Sequence, residues 1–360
     1  MTALLTAIEY HLGERIETNA DLAAEHPEWD MPRLVAKLGV RQRCLAQAGE
    51  TASDLAVRAA EKLFASGACT PGEIDFILFC TQTPDHLLPT TACALQTRLG
   101  IPTSAGALDF NLGCSGYIYG LSLARGLIES GQARAVLLLT GDTYSRLINP
   151  ADRNVRLVFG DAAAATLIRA EAPGVTGAKM TAFTFGTDGT GAENLIVRNG
   201  GLRTRGCPVP GGDFLEMNGG EIFNFTLRVV APLVEEVLHR AGLTLGAIDT
   251  VVHTRPMPTC SPTSAKNSAS PRKNSPSPSP IAATPSPPPS PSPSANGARN
   301  RSGLSESAPS SSASASATRG AAACSPDQTR RRANSSPPRH PHSSSSGLRT
   351  CPCIAFTTCV

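Results

Sequence analysis

Six cysteines precede residue 253 (Cys44, Cys69, Cys80, Cys93, Cys114 and Cys207), and no two have the spacing of a CxxC pair. Singly scattered cysteines argue against a zinc site or a disulfide framework and fit a reducing compartment. One of them has a context that could do chemistry. Cys114 lies in NLGCSGYIYG, where an apolar run gives way to a helical pattern. Backbone N–H groups and the helix dipole converge at such a position, which favours a thiolate and lowers the thiol's pKa. Gly113 and Gly116 leave room for a substrate to approach the sulfur, so a thioester or other acyl carbon could be attacked there. The same position also suits a small buried hydrophobe, which is what most lone cysteines are. Position alone leaves both readings open.

The elements that must hold Cys114 follow from periodicity. Ser53 can cap a helix through DLAVRAAEKLFASG, with Leu55, Ala59, Leu63 and Phe64 on one face and Gly67 as its stop. Residues 75–81, 105–112 and 133–142 are short apolar runs of the kind expected of strands buried on both faces. Helical patterns fall between them at TTACALQTRLG and CSGYIYGLSLARGLIESG, the latter ended by Gly131. Further strands are expected at 163–169 and 178–189, a long amphipathic helix at 220–241, and a strand opening at 248–252. This alternation predicts an α/β fold with a mostly parallel sheet and helices on both faces. The pair at 220–252 echoes the pair at 53–81, including the Ile74-Asp75 and Ile248-Asp249 dipeptides, and this reads as a weak internal repeat.

Composition divides the 360 residues in two. Ten of the eleven phenylalanines, all four tyrosines and the only tryptophan precede residue 253, whereas nineteen of the thirty prolines follow it. A segment so rich in Ser, Pro, Ala and Arg cannot bury enough apolar surface to offset its chain entropy, so 253–360 is expected to be disordered. Cys351 and Cys353 carry little meaning in that context. The net charge of +3 comes largely from tail arginines and does not point to nucleic acid. The first residues show no basic segment followed by an apolar core, and no apolar run reaches membrane-spanning length. A cytoplasmic enzyme with no nucleic-acid or membrane partner is expected.

The stretch ALDFNLGCSGYIYGLSLARGLIESGQARAVLLLTGDTYSRLINPADRNVRLVFGDAAAATLI resembles the heart of β-ketoacyl-acyl-carrier-protein synthase III, a thiolase-fold condensing enzyme. TNADLA, LGVRQR, ETASDLAVRAAEKL and LPTTACALQTRLG match in order, so the resemblance runs from Thr18 to Val252. It implies a thiolase-like fold of two pseudo-symmetric βαβαβ-type halves. Residues 1–170 would form the first half and 171–252 the start of a truncated second, followed by an out-of-frame 253–360. It also implies acyl transfer from acyl-CoA to Cys114, then decarboxylative condensation with malonyl-acyl carrier protein. No cofactor is implied beyond the coenzyme A thioester itself, and the family pairs two copies of the chain.

By the same resemblance Arg153, in NPADRNVR, falls where an arginine meets the CoA adenine, although a solvated arginine is the plain alternative. Lys37 matches another basic CoA contact, and Leu88 a residue lining the acyl pocket across the dimer, unless it is ordinary packing. Trp29 stands too far from Gly39 for the usual adenine-stacking pattern, so core packing is expected of it. Asn224 replaces a lysine of the carrier-protein docking region, where Arg228 could serve instead. Gly160-Asp161 suits a supporting tight turn, and His239 a solvated helix face. Gly186, Gly189 and Gly191 do not make a phosphate loop, because no Lys-Ser/Thr pair follows and no helix opens there.

The family's His and Asn, which stabilise the carbanion in the manner of an oxyanion hole, are missing as motifs. Both can be read in a shifted frame. Residues 253–261 can read His-Gln-Ala-Asn-Ala-Tyr-Met-Leu, residues 282–285 Gly-Asn-Thr, and 309–322 a glycine-rich closing strand. Loss of one base beside Val252 produces this pattern; a genuine Pro/Ser-rich linker is the alternative. The chain is therefore expected to lack condensing activity and to leave its second half incomplete. Two other functions stay open: a thiolase-fold acyltransferase of secondary metabolism, and a non-catalytic remnant with a disordered arm.

Overall fold

Two of the apolar runs, Phe76–Cys80 and Ala135–Thr143, lie side by side at the middle of a six-stranded sheet and are buried almost throughout. The structure, a computed structural model, describes residues 1–253 and 353–356. In chain order it runs β1 (Ala3–Leu12), β2 (Arg15–Thr18), α1 (Asn19–Glu25), α2 (Met31–Leu38), β3 (Gln42–Leu45) and α3 (Ala52–Ala65). Then come β4 (Phe76–Cys80), α4 (Thr91–Arg98), β5 (Gly106–Phe110), α5 (Gly116–Glu129), β6 (Ala135–Thr143), α6 (Arg153–Arg156) and β7 (Asp161–Ala170). The remainder is β8 (Ala178–Lys179), β9 (Leu195–Val197), β10 (Leu215–Met217), α7 (Gly219–Ala241), β11 (Thr250–His253) and β12 (Cys353–Phe356).

The main sheet has the order β5-β4-β6-β7-β1-β8. Strands β5, β4 and β6 are parallel, whereas β7 runs antiparallel to both β6 and β1, so the sheet is mixed rather than mostly parallel. Strand periodicity puts Ile77, Phe79, Leu137 and Leu139 on one face, under Leu55, Ala59, Ala60 and Leu63 of α3. It puts Leu78, Val136 and Leu138 on the other, under Ile118, Leu121, Ala124 and Ile128 of α5. With both faces covered, every residue of these strands can be apolar, which is why the runs are continuous. Each large side chain so buried contributes about 1.5–3 kcal/mol.

Several local expectations change. Helix α3 is capped by Thr51, not Ser53: Thr51 and Asp54 form a capping box, the Thr51 N–H donating to Asp54 Oδ2 at 2.8 Å. Ser53 is buried instead and accepts from Arg98 Nη1 at 2.7 Å. The strand expected at 178–189 shrinks to Ala178 and Lys179, which pair with β1. The residues after it leave the ladder for α5: Phe185 packs on Tyr119 with ring centres 4.6 Å apart, and Arg125 Nη1 donates to Thr181 O at 2.9 Å. A 3-10 turn, Gly189–Asn194, then follows Asp188, whose carboxylate accepts from the Thr190 N–H. The N-terminal residues, left unassigned by the sequence reading, are β1, paired with β7 from Ala3 to Leu12 with a register shift between Leu5 and Ala7.

The internal repeat is visible in the backbone. Helix α3 leads through a 3-10 turn, Pro71–Glu73, into β4; helix α7 leads through Leu245–Ala247 into β11, with Thr70 and Thr244 in equivalent cap positions. The two copies differ in their cover. Seven residues of the 14-residue α3 are buried, against two of the 23 in α7, Val237 and Leu238. Val251 and Val252 of β11 are exposed, and β11 pairs in parallel with β12 alone. The expected disorder of 253–360 and the shifted-frame motifs fall, apart from His253 and the strand at 353–356, outside the described residues. Among the described residues no helix is long and apolar enough to cross a membrane.

Candidate active site

Because β4, β5 and β6 are parallel, their C-terminal ends share one rim of the sheet, the usual place for a site in a fold of this kind. Cys80 ends β4, Phe110 ends β5 and Thr143 ends β6. The chain leaves β5 over this rim, turns through residues 111–115 and enters α5. Cys114 lies on the turn, two residues before the first helical residue and exposed to solvent as a thiol. It stands just outside the helix rather than opening it, close enough to the first turn to feel the dipole. The turn is closed by the Gly116 N–H donating to Gly113 O at 2.8 Å, while Ser115 O accepts from the Ile118 N–H at 3.0 Å.

Side chains from β4 and β6 form the floor of this turn. The Cys80 thiol, buried, donates to Leu112 O at 3.1 Å. Gly116 rests directly on the same sulfur, so that a Cβ there would run into it. Gln82 reaches up two residues later, on the side of the chain that Cys80 occupies, and its Oε1 accepts from the Tyr144 hydroxyl. Thr81 points the other way: its hydroxyl donates to Asp142 Oδ1 at 3.1 Å, as does Thr83 at 3.2 Å and the Gln82 N–H at 2.7 Å. Burial pushes the Asp142 carboxyl up to about 6, with those three hydrogen bonds pulling the other way. None of these residues was picked out from sequence. The one signal available was Cys80 and Gln82 at i, i+2 just past a strand.

Asp161, singled out as a turn residue, is buried and ties three segments together. Its carboxylate accepts from the Ala46 N–H at 2.8 Å, the Ser145 N–H at 2.9 Å and the Ser145 hydroxyl at 2.5 Å. It thus fixes the loop after β6 that carries Tyr144. Asp109, on β5, accepts from the Thr91 and Ala92 N–H groups and so fixes the start of α4.

The remaining candidates spread over other surfaces. Arg153 opens α6 and Lys37 sits in the last turn of α2; both are exposed, and neither has a hydrogen bond or ion pair among the described residues. Their helices meet through one apolar cluster of Leu22, Trp29, Met31 and Leu157, so the two cations belong to neighbouring elements. Trp29 is part of that cluster and stacks on His26 at 4.0 Å, which makes it a packing residue. Leu88 is 84% exposed on the loop that follows Gln82 and precedes a cis Pro89. Arg228 is held by Asp188 at 2.8 Å and lies over the Phe225 ring; Asn224 is exposed beside Glu221. Arg228, but not Asn224, borders a polar cavity of about 150 Å³, lined with it by Asp188, Thr190, Gly191, Asn194, Glu221 and Phe225, that does not include Cys114. Among the described residues no cluster of His, Cys, Asp and Glu could hold a metal ion.

Comparison with known proteins singles out the same stretch of the chain. The family profile described as 3-oxoacyl-(acyl-carrier-protein) synthase III matches residues 108–189, the stretch from β5 past β8 that contains Cys114. A β-ketoacyl-(acyl-carrier-protein) synthase III of Streptomyces coelicolor is 38% identical over 256 residues, 69% of this chain and 75% of the relative. A crystal structure of a 3-oxoacyl-(acyl-carrier-protein) synthase III superposes with a TM-score of 0.68 at 46% identity, over 72% of this chain and 80% of that one. The corresponding Burkholderia xenovorans structure gives 0.65 at 35% identity, over 74% and 77%. The likeness identifies the fold as thiolase-like. On these grounds the chain belongs to the β-ketoacyl-acyl-carrier-protein synthase III family of acyltransferases.

Proposed function

We propose that this chain carries out the first half of the family's reaction, acyl transfer from acyl-CoA to Cys114, and does not complete the condensation with malonyl-acyl carrier protein. The observation that carries the reading is the exposed Cys114 thiol beside the N-terminus of α5, on the rim of the sheet. The thiolate adds to the thioester carbonyl, and the tetrahedral oxyanion collapses. The carbonyl carbon keeps its new bond to Cys114 Sγ and loses its bond to the CoA sulfur, which leaves as a thiolate and takes up a proton from water. A negative charge developing beside a helix N-terminus is stabilised there.

Arg153 and Lys37 are the groups we assign to the acyl-CoA phosphates and adenine, because both are exposed and neither is paired among the described residues. An arginine can grip a phosphate with two parallel hydrogen bonds. The open edge strand β5, with Leu108 exposed, and the apolar loop tip at Leu87 and Leu88 support pairing with a second copy of the chain. The site uses no cofactor beyond its thioester substrate, and the protein works in the cytoplasm.

The second half of the reaction needs groups to hold the charge released when malonyl loses carbon dioxide, and the chain carries no such motif in its own reading frame. The deciding experiment is mass spectrometry of the protein after incubation with acetyl-CoA, then with malonyl-acyl carrier protein. We expect an adduct of about 42 Da on the Cys114 peptide, the mass of one acetyl group replacing a thiol hydrogen, none in Cys114→Ala, and no 3-oxoacyl product. Ordinary turnover to product would overturn the second half of the reading; no adduct on the unaltered chain would overturn the first.

A further inference from the structure

Gln82 is held at both ends. Its backbone N–H donates to Asp142 Oδ1 at 2.7 Å, and its side-chain oxygen accepts from the Tyr144 hydroxyl. Tyr144 is itself fixed, stacked on Phe159 with ring centres 5.0 Å apart and following β6 directly. The pair abuts the residue before the nucleophile. A Cβ built on Gly113 would stand 2.6 Å from Gln82 Oε1 and 3.6 Å from Tyr144 Oη, so an alanine there would have to push Gln82 aside. Gln82 follows β4 and Tyr144 follows β6, 62 residues apart, yet they converge on one peptide of the turn.

We propose that Gln82, locked by Tyr144, is a positioning residue for Cys114: it holds Gly113 in the conformation that aims the thiol at the N-terminus of α5. Asp142 anchors the backbone of Gln82 and Asp161 anchors Ser145, next to Tyr144, so the wall rests on two carboxylates, one half-buried and one buried. The consequence is kinetic. Letting Gly113 relax moves the sulfur out of the helix-terminal field without removing any group that touches substrate. This inference rests on Cys114 being the nucleophile, and the test keeps the two apart.

The full chain and its variants are treated with iodoacetamide, and the alkylation rate of the Cys114 peptide is followed by mass spectrometry. The unfolding midpoint of each protein is recorded alongside. Gln82→Ala and Tyr144→Phe are each expected to slow alkylation of Cys114 about threefold to tenfold, the size of effect a helix terminus exerts on a neighbouring charge. Their unfolding midpoints should stay close to that of the parent. Gly113→Ala should slow it as well, by pushing Gln82 aside, whereas adding Gly113→Ala to Gln82→Ala should cost little more, because the clash is already gone. A rate for Gln82→Ala equal to or above the parent's overturns the proposal, as does strict additivity in the double variant. Should Gly113→Ala fail to fold, Tyr144→Phe, which deletes one hydroxyl from a ring that stays stacked, is sufficient: an unchanged rate there overturns the proposal. A parent Cys114 inert to the reagent would overturn the nucleophile reading instead.

Discussion

Asp142 shows how the site is held at the scale of single residues. Three donors surround its carboxylate, yet burial outweighs them and the folded-state pKa rises from 3.8 to about 6. A carboxyl with a raised folded pKa binds its proton more tightly in the native state than in the unfolded chain. Its stabilising contribution is therefore complete below about pH 4 and is lost as pH rises through 6. Two units correspond to about 3 kcal/mol. Urea unfolding at pH 4 and pH 7 should show the parent losing roughly that amount relative to Asp142→Asn, whose stability should change far less over the same range. A parent-minus-variant difference that stays flat from pH 4 to 7 would show that Asp142 titrates normally. The place of Cys114 at a strand-to-helix turn was legible from sequence because strand end, glycine pair and helix start are neighbours along the chain. Gln82 and Tyr144 were not, since what matters about them is a contact between two strands.

At the scale of elements, α5 does two jobs: it takes the chain on from the turn of Cys114 and it covers one face of the sheet. Gly120 is packed against Leu138 of β6. A Cβ there would lie 2.5 Å from Leu138 Cδ1 and 3.1 Å from Phe110 Cζ. Gly126, on the same helix, has open space around its missing side chain. The two glycines should respond with opposite signs. Gly120→Ala is expected to destabilise the protein by about 1–3 kcal/mol through overpacking. Gly126→Ala should stabilise it by about 0.5–1 kcal/mol, because alanine loses less backbone entropy in a helix. Thermal unfolding of both variants reads this directly, and equal shifts for the two would show that α5 does not press on the sheet at Gly120. The helix and its strands were readable from apolar runs; the depth of contact at Gly120 was not, because a glycine in an amphipathic pattern looks the same whether it is crowded or free.

At the scale of the whole molecule, the two repeat copies have unequal cover. Helix α3 lies sealed against the sheet, whereas α7 buries one turn and leaves Leu227 exposed, with Ile222, Phe223, Val230 and Val234 only half-buried. A long apolar helix face with so little against it contributes little stability, since helices in proteins draw theirs mainly from packing. On the shifted-frame reading, the chain after codon 252 would instead carry the His and Asn motifs and a glycine-rich closing strand. We expect that one base inserted beside codon 252 yields a protein with a higher unfolding midpoint and measurable condensation of acetyl-CoA with malonyl-acyl carrier protein. An inserted base that leaves both unchanged would show that the tail is the native ending.

The amino-acid sequence by itself determined the buried strands β4 and β6, the helix after Cys114 and the family, because each rests on residues adjacent in the chain or on motifs met in order. It did not settle what long-range pairing decides. The N-terminal residues became a full strand because β7 offered them an antiparallel partner, and residues 180–189 left the sheet because Phe185 and the Thr181 carbonyl found better contacts on α5. Only the tertiary structure placed Cys80, Gln82 and Tyr144 under the turn of Cys114, since a wall built from two strands exists only once the sheet has brought them side by side.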